Sequence, residues 1–368
     1  MESSITRPES PITRYEQIGN RVRCEILNNC TAGQLLVSER ELSKKYSASR
    51  STIRKALDLL VDEGLVERKH RLGNVVTDPL AQGEFAIVIR PGLLRAESSP
   101  AYRQIASLLS EKMGTKSDQW HVKLHLGKKV DSELYAGQLF PGTLDLLEPD
   151  TLKKLLGVFS FHPLYEFTKL LRQKNIPIMR IGKVDGEDIP AIFLDWDGFF
   201  KESVDHLCHV GCRSVGFIWS HFDKPLTPEQ RYDSHFAKHA IEAGLTVKEN
   251  WLPAVLNEVT ERKAYDTFVK FWQQGDCPDG LVISDDVIAK GVLRAVLHKN
   301  IRVPEQMRLI TYANKGIELP FHKPVTRYEC DMEKTASLAT EAMIELLNGH
   351  ECEQNIHFPG ELIKGQTT

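Results

Sequence analysis

The sequence predicts an α/β protein: two lobes built on parallel sheets, behind a small helical head that ends in a β-hairpin. Three observations carry this. From residue 85 onward, short apolar runs alternate with amphipathic ones, the pattern of strands joined by crossover helices. Before residue 78 the periodicity is helical and the segments are short. The charge divides at the same place: residues 1–77 carry 13 Lys and Arg against 10 Asp and Glu, and the remainder carries 34 against 40. A basic head therefore precedes an acidic body in a chain of net charge −3.

With 368 residues, 41% of them hydrophobic and 26% charged, the chain has material for two or three domains. Its composition excludes collagen-like, low-complexity and wholly disordered chains. No run reaches the roughly 18–20 apolar residues of a membrane helix, and the stretch from Met1 to Pro8 lacks the apolar core of a signal peptide. The seven cysteines, at 24, 30, 208, 212, 277, 330 and 352, are odd in number and scattered, as reduced thiols are. These features predict a cytoplasmic protein without membrane partners.

In the head, apolar residues at 12, 15, 18, 22, 26 and 27 follow a 3.6 period and predict one long amphipathic helix. Ser38 followed by Glu41 is a capping-box signature that opens a second helix to about Tyr46. Ser47-Ala48 makes a tight turn, and Ser49 caps a third helix that runs through Glu63 and stops at Gly64. Two β-prone runs, 65–68 and 74–77, flank Lys69-His70-Arg71-Leu72-Gly73, a hairpin with a basic tip. The turn-rich stretch 78–84 is expected to be a linker between the head, 1–77, and the body, 85–368.

The body's expected strands are 85–89, 121–126, 157–161, 176–181, 191–194, 214–219, 280–283 and 307–312. Helical runs lie at 101–113, 164–174, 198–210, 229–243, 261–274, 286–299 and 333–348. Nearly 290 residues is large for one such sheet, so two lobes are expected, with a binding crevice at the strand carboxyl ends.

Two short helices around a tight turn place the start of the second where it can lie in the major groove of DNA. Arg50 and Arg54 share a helix face, and either fork suits guanine or phosphate. Ser49, Ser51 and Thr52 add hydroxyls at a helix N-terminus that favours anions, while Ile53, Ala56, Leu57 and Leu60 form the buried stripe. On these residues alone, a small helical bundle with solvated arginines stays open as the alternative.

The runs Val37-Ser38-Glu39-Arg40-Glu41-Leu42, Ser47-Ala48-Ser49-Arg50-Ser51-Thr52-Ile53-Arg54-Lys55-Ala56-Leu57 and Glu63-Gly64-Leu65-Val66 resemble the winged helix-turn-helix of GntR-family bacterial transcription regulators. The resemblance implies that Arg40, Arg50 and Arg54 contact DNA, with Gly73 in the wing; Ser49, Ser51, Thr52, Lys69 and His70 complete the expected interface. The sequence departs from the family at Val37, where proline is usual, and at the wing, which is often richer in glycine.

The body resembles the LacI/GalR effector domain, a fold shared with periplasmic sugar-binding proteins. The match is clearest over Asp279-Gly280-Leu281-Val282-Ile283-Ser284-Asp285-Asp286-Val287-Ile288-Ala289 and on to Val303-Pro304-Glu305, where the resemblance puts Asp286 against ligand. Asp195, with His206-Leu207 and Gly211 beyond it, matches a second family stretch. The expected ligand-binding residues are Tyr102, Asp195, Trp196, Trp219, His221, Arg231 and Asp286, with helix capping as the plain alternative for Asp286 and core packing for Trp196 and Tyr102. Arg231 sits one residue away from the family's usual register, and His235 stands where the family has glycine.

His206, Cys208, His209 and Cys212 lie close in sequence but lack the paired spacing of a zinc site, so no metal is expected. No phosphate loop, nucleophile elbow or dinucleotide motif occurs, and neither enzymatic activity nor a cofactor is expected. The reading is a homodimeric repressor of operator DNA, controlled by a small molecule, a sugar by the resemblance. A solute-binding or transport component with the same body, or an enzyme with a regulatory head, is the alternative.

Overall fold

The computed structural model describes residues 13–62, 64–77, 83–116, 120–126, 145–164, 166–182, 189–221, 231–256, 259–350, 352–358 and 360–368. The head opens with α1 (Arg14–Asn29). Thr13 caps it: Glu16 turns back to accept from the Thr13 N–H at 2.6 Å, the reciprocal arrangement of a capping box. Helix α2 (Glu39–Lys45) begins in the same way at Ser38 and Glu41. Ser47, at φ 48°, turns the chain into α3 (Arg50–Asp62). Ile18, Val22 and Ile26 of α1 meet Leu42 of α2 and Ile53, Ala56, Leu57 and Leu60 of α3 in one buried cluster.

The hairpin follows as β1 (Val66–Lys69) antiparallel to β2 (Gly73–Val76). Gly64, at φ 75°, supplies the left-handed turn between α3 and β1. Leu35 pairs with Val75 as a short third strand, and an Arg68–Asp58 ion pair ties β1 back to α3.

Among the described residues, two six-stranded sheets form the body. The first lobe contains β3 (Gly83–Ile89), β4 (Trp120–Leu126), β5 (Leu155–Ser160), β6 (Ile178–Ile181), β7 (Ala191–Leu194) and β13 (Asn355–Phe358), in the order β13-β7-β6-β5-β3-β4, all parallel. The second contains β8 (Val215–His221), β9 (Ala254–Leu256), β10 (Gly280–Ile283), β11 (Arg308–Asn314), β12 (Thr326–Cys330) and β14 (Glu361–Ile363), in the order β14-β12-β11-β10-β8-β9. Only β14 is antiparallel to its neighbour. Each sheet reverses strand order beside its first strand, at β3/β5 and at β8/β10, which is where open α/β sheets bind ligands.

The longer helices are α4 (Ala101–Lys116), α6 (Glu166–Gln173), α7 (Trp196–His209), α8 (Tyr232–Glu242), α9 (Glu261–Gln273), α10 (Asp286–His298) and α11 (Met332–Leu347); a single turn, α5 (Pro149–Lys154), precedes β5. These agree with the seven expected helices to within a few residues at each end.

Four strands are additions to the sequence reading. β9, β13 and β14 have three or four residues each, too short for a period to show, and β12 alternates buried and half-buried residues in a run containing Arg327 and Glu329. The linker also needs correction: Gly83 and Glu84 already belong to β3, and 78–82 lies outside the described residues.

The chain passes between lobes three times. It leaves the first lobe after β7 into α7, returns after β12 into α11, which packs on α4, and crosses again between β13 and β14. Asp195 caps α7 and Asp331 caps α11, so two crossings begin at an aspartate that accepts helix N–H groups. Tyr328 sits among the crossings, its hydroxyl accepting the Gly360 N–H at 3.0 Å. A Cβ on Gly360 would stand 2.3 Å from the Tyr328 ring. Gly360→Ala is therefore expected to destabilise the body by about 1–3 kcal/mol through overpacking, read as a lower urea midpoint at unchanged slope.

Candidate DNA interface and ligand cleft

At the head, the start of α3 presents the expected polar set. Ser49 Oγ accepts the Thr52 N–H at 3.1 Å and lies 2.8 Å from Ser51 Oγ and 2.7 Å from Thr52 Oγ1. This chain of hydroxyls fixes the first turn. Arg50 is exposed, as is Arg40 on α2. Arg54, which the sequence reading places against DNA, is exposed as well. Its fork is engaged by Glu39, Nε to Oε1 at 3.3 Å and Nη2 to Oε2 at 3.0 Å. The pair spans α2 and α3 on the surface, so its contribution to stability is small, but it sets where the guanidinium stands. In the wing, Lys69 pairs with Glu67 at 3.5 Å, His70 is exposed, and Gly73 adopts φ 104°.

The body's site lies where the strand ends of the two lobes face each other. Asp286 opens α10 at the end of β10 and is fully buried. Ser99 of the first lobe donates its hydroxyl to Asp286 Oδ2 at 2.9 Å. Asn314, at the end of β11, donates its amide to the same oxygen at 3.1 Å. Tyr312 donates to Asn314 Oδ1 at 2.5 Å, which fixes the amide's orientation. Asp286 Oδ1 is buried and has no hydrogen-bond partner. A lone buried polar oxygen costs about 1–3 kcal/mol, and a hydroxyl or amine placed against it would remove that cost.

The question of whether Asp286 merely caps its helix is decided by its neighbour. Asp285 Oδ1 accepts the Ile288 N–H at 2.8 Å and is the N-cap. Burial pushes the Asp285 carboxyl up from 3.8 to about 7, with Asp286 adding to the rise and the Ile288 N–H opposing it. A carboxyl raised in the fold contributes stability that is complete below about pH 4 and lost as pH climbs through about 7. Asp285→Asn, which keeps the cap, is expected to flatten the fall in urea midpoint between pH 5 and pH 8; an unchanged pH profile would contradict this.

Tyr102 of α4 stands beside these acids. Burial first, then Asp285 and Asp286, push its phenol up to about 12; burial raises that of Tyr312 as well. Both are therefore neutral donors at physiological pH. Tyr102 also meets Phe161 edge-on at 6.2 Å. In the first lobe His162 Nε2 accepts the Arg90 N–H at 2.6 Å, so Nδ1 carries the proton. Burial, with Arg90 and Arg180 nearby, pushes this histidine down to about 2 and keeps it neutral.

The other expected ligand residues are dispersed. Asp195 accepts the Gly198 N–H at 3.0 Å as the α7 cap, at the hinge. Trp196 is half-buried, 4.5 Å from the Tyr232 ring. Trp219 is buried against the main core, stacked with Phe217, because position 219 shares a strand face with Phe217. Arg231 precedes α8 and is held by Asp233 in a two-point pair at 3.0 and 2.9 Å. The His221 side chain lies outside the described residues.

Ser99, Tyr312 and Asn314 were missed. Asn314 falls two residues beyond the expected strand end, and Ser99 lies in irregular chain ahead of α4, where no periodic signal exists. Of the clustered thiols and imidazoles, His206 Nε2 meets Thr368 Oγ1 at 2.8 Å and Cys208 donates to the Ala243 carbonyl at 3.4 Å. No helix among the described residues is long and apolar enough to cross a membrane.

Comparison with known proteins agrees with this architecture. Residues 14–76 match the family described as bacterial regulatory proteins, gntR family, and residues 204–368 match the periplasmic binding protein-like domain. The HTH-type transcriptional repressor PurR of Glaesserella parasuis is 24% identical over 180 residues, 45% of this chain, and the chain spans about half, 52%, of that relative's length. The arabinose metabolism transcriptional repressor of Halalkalibacterium halodurans is 25% identical over 313 residues, covering 82% of this chain and 80% of that protein. Among solved structures, the lac repressor dimer bound to operator and the anti-inducer ONPF aligns with a TM-score of 0.62 at 15% identity, over 78% of this chain and 94% of that one. A LacI-family regulator from Arthrobacter sp. FB24 in complex with lactose aligns at 0.60 and 18% identity, over 78% and 100%. Residues 14–76 thus carry the match to the gntR family and residues 204–368 the match to the periplasmic binding protein-like domain, and the body has the fold of the LacI-family structures it aligns with.

Proposed function

We propose that the protein is a transcriptional repressor whose affinity for operator DNA is set by a small polyhydroxylated molecule, a sugar, held between the two lobes. The observation that carries the effector half is Asp286: a buried carboxyl at a strand-order reversal, bound on one oxygen by Ser99 from the opposite lobe and Asn314, with its other oxygen unpartnered. Adjacent sugar hydroxyls suit such an acceptor, with Tyr102 and Asn314 as flanking donors. Asp195 and Trp196 at the hinge would sense lobe closure, and Arg231 would reach ligand only by leaving Asp233. The names of two similar proteins, an arabinose repressor and a lactose complex, favour a sugar.

On the DNA side, Arg40, Arg50 and Arg54, with Ser49, Ser51 and Thr52, form the major-groove surface, and Lys69, His70 and Gly73 the wing. The body pairs with a second copy in the cytoplasm, so two heads meet half-sites about one helical turn or more apart. Effector acts by binding one lobe arrangement better than the other. A gel-shift titration on the DNA upstream of the protein's own gene, with a panel of sugars, tests this. The expected result is a specific complex that one sugar removes or strengthens. Failure to enrich any sequence from a random DNA library would overturn the DNA-binding half.

A further inference from the structure

We propose that the effector is an acidic sugar, one carrying a phosphate ester or a carboxylate, and that the Arg90 guanidinium receives its acidic group on the first-lobe side of the cleft. This rests on the sugar-effector reading above and narrows it from sugars in general to anionic ones.

Arg90 directly follows β3, beside the β3/β5 reversal of strand order, where an open sheet presents its ligand crevice. Its backbone is fixed: the N–H is held by His162 Nε2 at 2.6 Å, and the carbonyl accepts the Leu93 N–H at 3.0 Å. The side chain is exposed, and among the described residues none pairs with its guanidinium. Its charge nevertheless acts inward, on His162 and on Tyr102, and Tyr102 also feels Asp285 and Asp286 of the second lobe. Arg180 adds a second permanent positive charge. It is fully buried, opposite Ser160 in the pairing of β5 with β6, and its field meets that of Arg90 at His162. His162 itself stays neutral, so the two guanidiniums carry the first-lobe charge.

The two walls of the cleft differ in sign. The second lobe offers Asp286, a buried acceptor with one oxygen unpartnered, which suits hydroxyls. The first lobe offers a two-pronged cationic donor, which suits an oxyanion. A neutral sugar would satisfy Asp286 and leave the Arg90 charge uncompensated as the lobes close and exclude water, an expensive arrangement for a cation. A ligand with hydroxyls at one end and an acid at the other satisfies both walls.

The full-length protein is titrated calorimetrically with matched sets: a hexose or pentose, its terminal phosphate ester, and the sugar acid of the same configuration, for glucose, galactose, arabinose and ribose. One acidic member is expected to bind about 30-fold or more tightly than the neutral member of its set. Comparing phosphate with carboxylate in that set identifies the acid. Arg90→Gln should weaken the acidic member by a similar factor and Arg90→Lys by less, since lysine keeps the charge and loses the fork; unfolding in urea checks that both variants are folded. A neutral sugar that binds as tightly as its acidic partners overturns this inference and leaves the sugar reading standing. An acidic member that binds Arg90→Gln as tightly as wild type overturns the role of Arg90. Binding by no member of any set overturns the sugar reading and this inference with it.

Discussion

Replacing Arg50 by alanine is expected to weaken specific DNA binding by about 1–3 kcal/mol, roughly 5- to 150-fold, without disturbing the head. The arginine is exposed at the first position of α3, and the core stripe of that helix, from Ile53 to Leu60, lies on the opposite face. Surface changes of this kind rarely alter stability by more than about 0.5 kcal/mol. Arg54→Ala is a different experiment, since it also releases Glu39, an acid then left facing the phosphates. Glu39→Ala/Arg54→Ala should therefore bind better than Arg54→Ala. Anisotropy titrations at two salt concentrations separate base from phosphate contact for Arg50: a base contact lowers the ratio of specific to non-specific affinity, and a phosphate contact lowers the salt slope. Full affinity in Arg50→Ala at physiological salt would remove Arg50 from the interface.

Asp286→Ala is expected to abolish the effector response while DNA affinity is kept. A hydrogen bond whose loss leaves a buried group unpaired costs about 1–3 kcal/mol, so losing two raises the effector Kd by about 30-fold or more. Stability should fall as well. Removing the carboxyl leaves the Ser99 hydroxyl and the Asn314 amide without their shared acceptor, at about 1–3 kcal/mol for each buried group left unpaired. Calorimetric titration with the sugar found by gel shift, alongside urea unfolding, reads both. A variant that loses DNA binding and keeps the sugar response would reverse the proposed division between head and body.

Much of this architecture is legible in the sequence because its signals are local. The capping pair Ser38–Glu41, and the 3.6-residue stripes of the head's helices, depend on neighbours within one turn. The apolar run 85–89 within β3 and the strand β10 declare a buried sheet by composition alone. The site was less legible because it is assembled from a distance. Ser99 and Asp286 are 187 positions apart, and no local pattern announces that a serine ahead of one helix will meet an aspartate opening another. The packing of Trp219 was not legible either, because the strand face it shares with Phe217 is set by the sheet and not by its neighbours. The acids that hold two of the expected contact residues were not legible either: Glu39 holds Arg54 from the neighbouring helix, and Asp233 holds Arg231.

The triple passage between lobes limits how such a protein can be recombined. The head is joined to the body by one covalent passage, so exchanging it requires one splice. No single splice separates the lobes, because the segment after α11 supplies an edge strand first to one sheet and then to the other. Ending the chain at residue 350 would strip both sheets at once. A new effector specificity on this scaffold would therefore come from side chains lining the cleft of an intact body, whereas a new operator specificity can come from exchanging the whole reader.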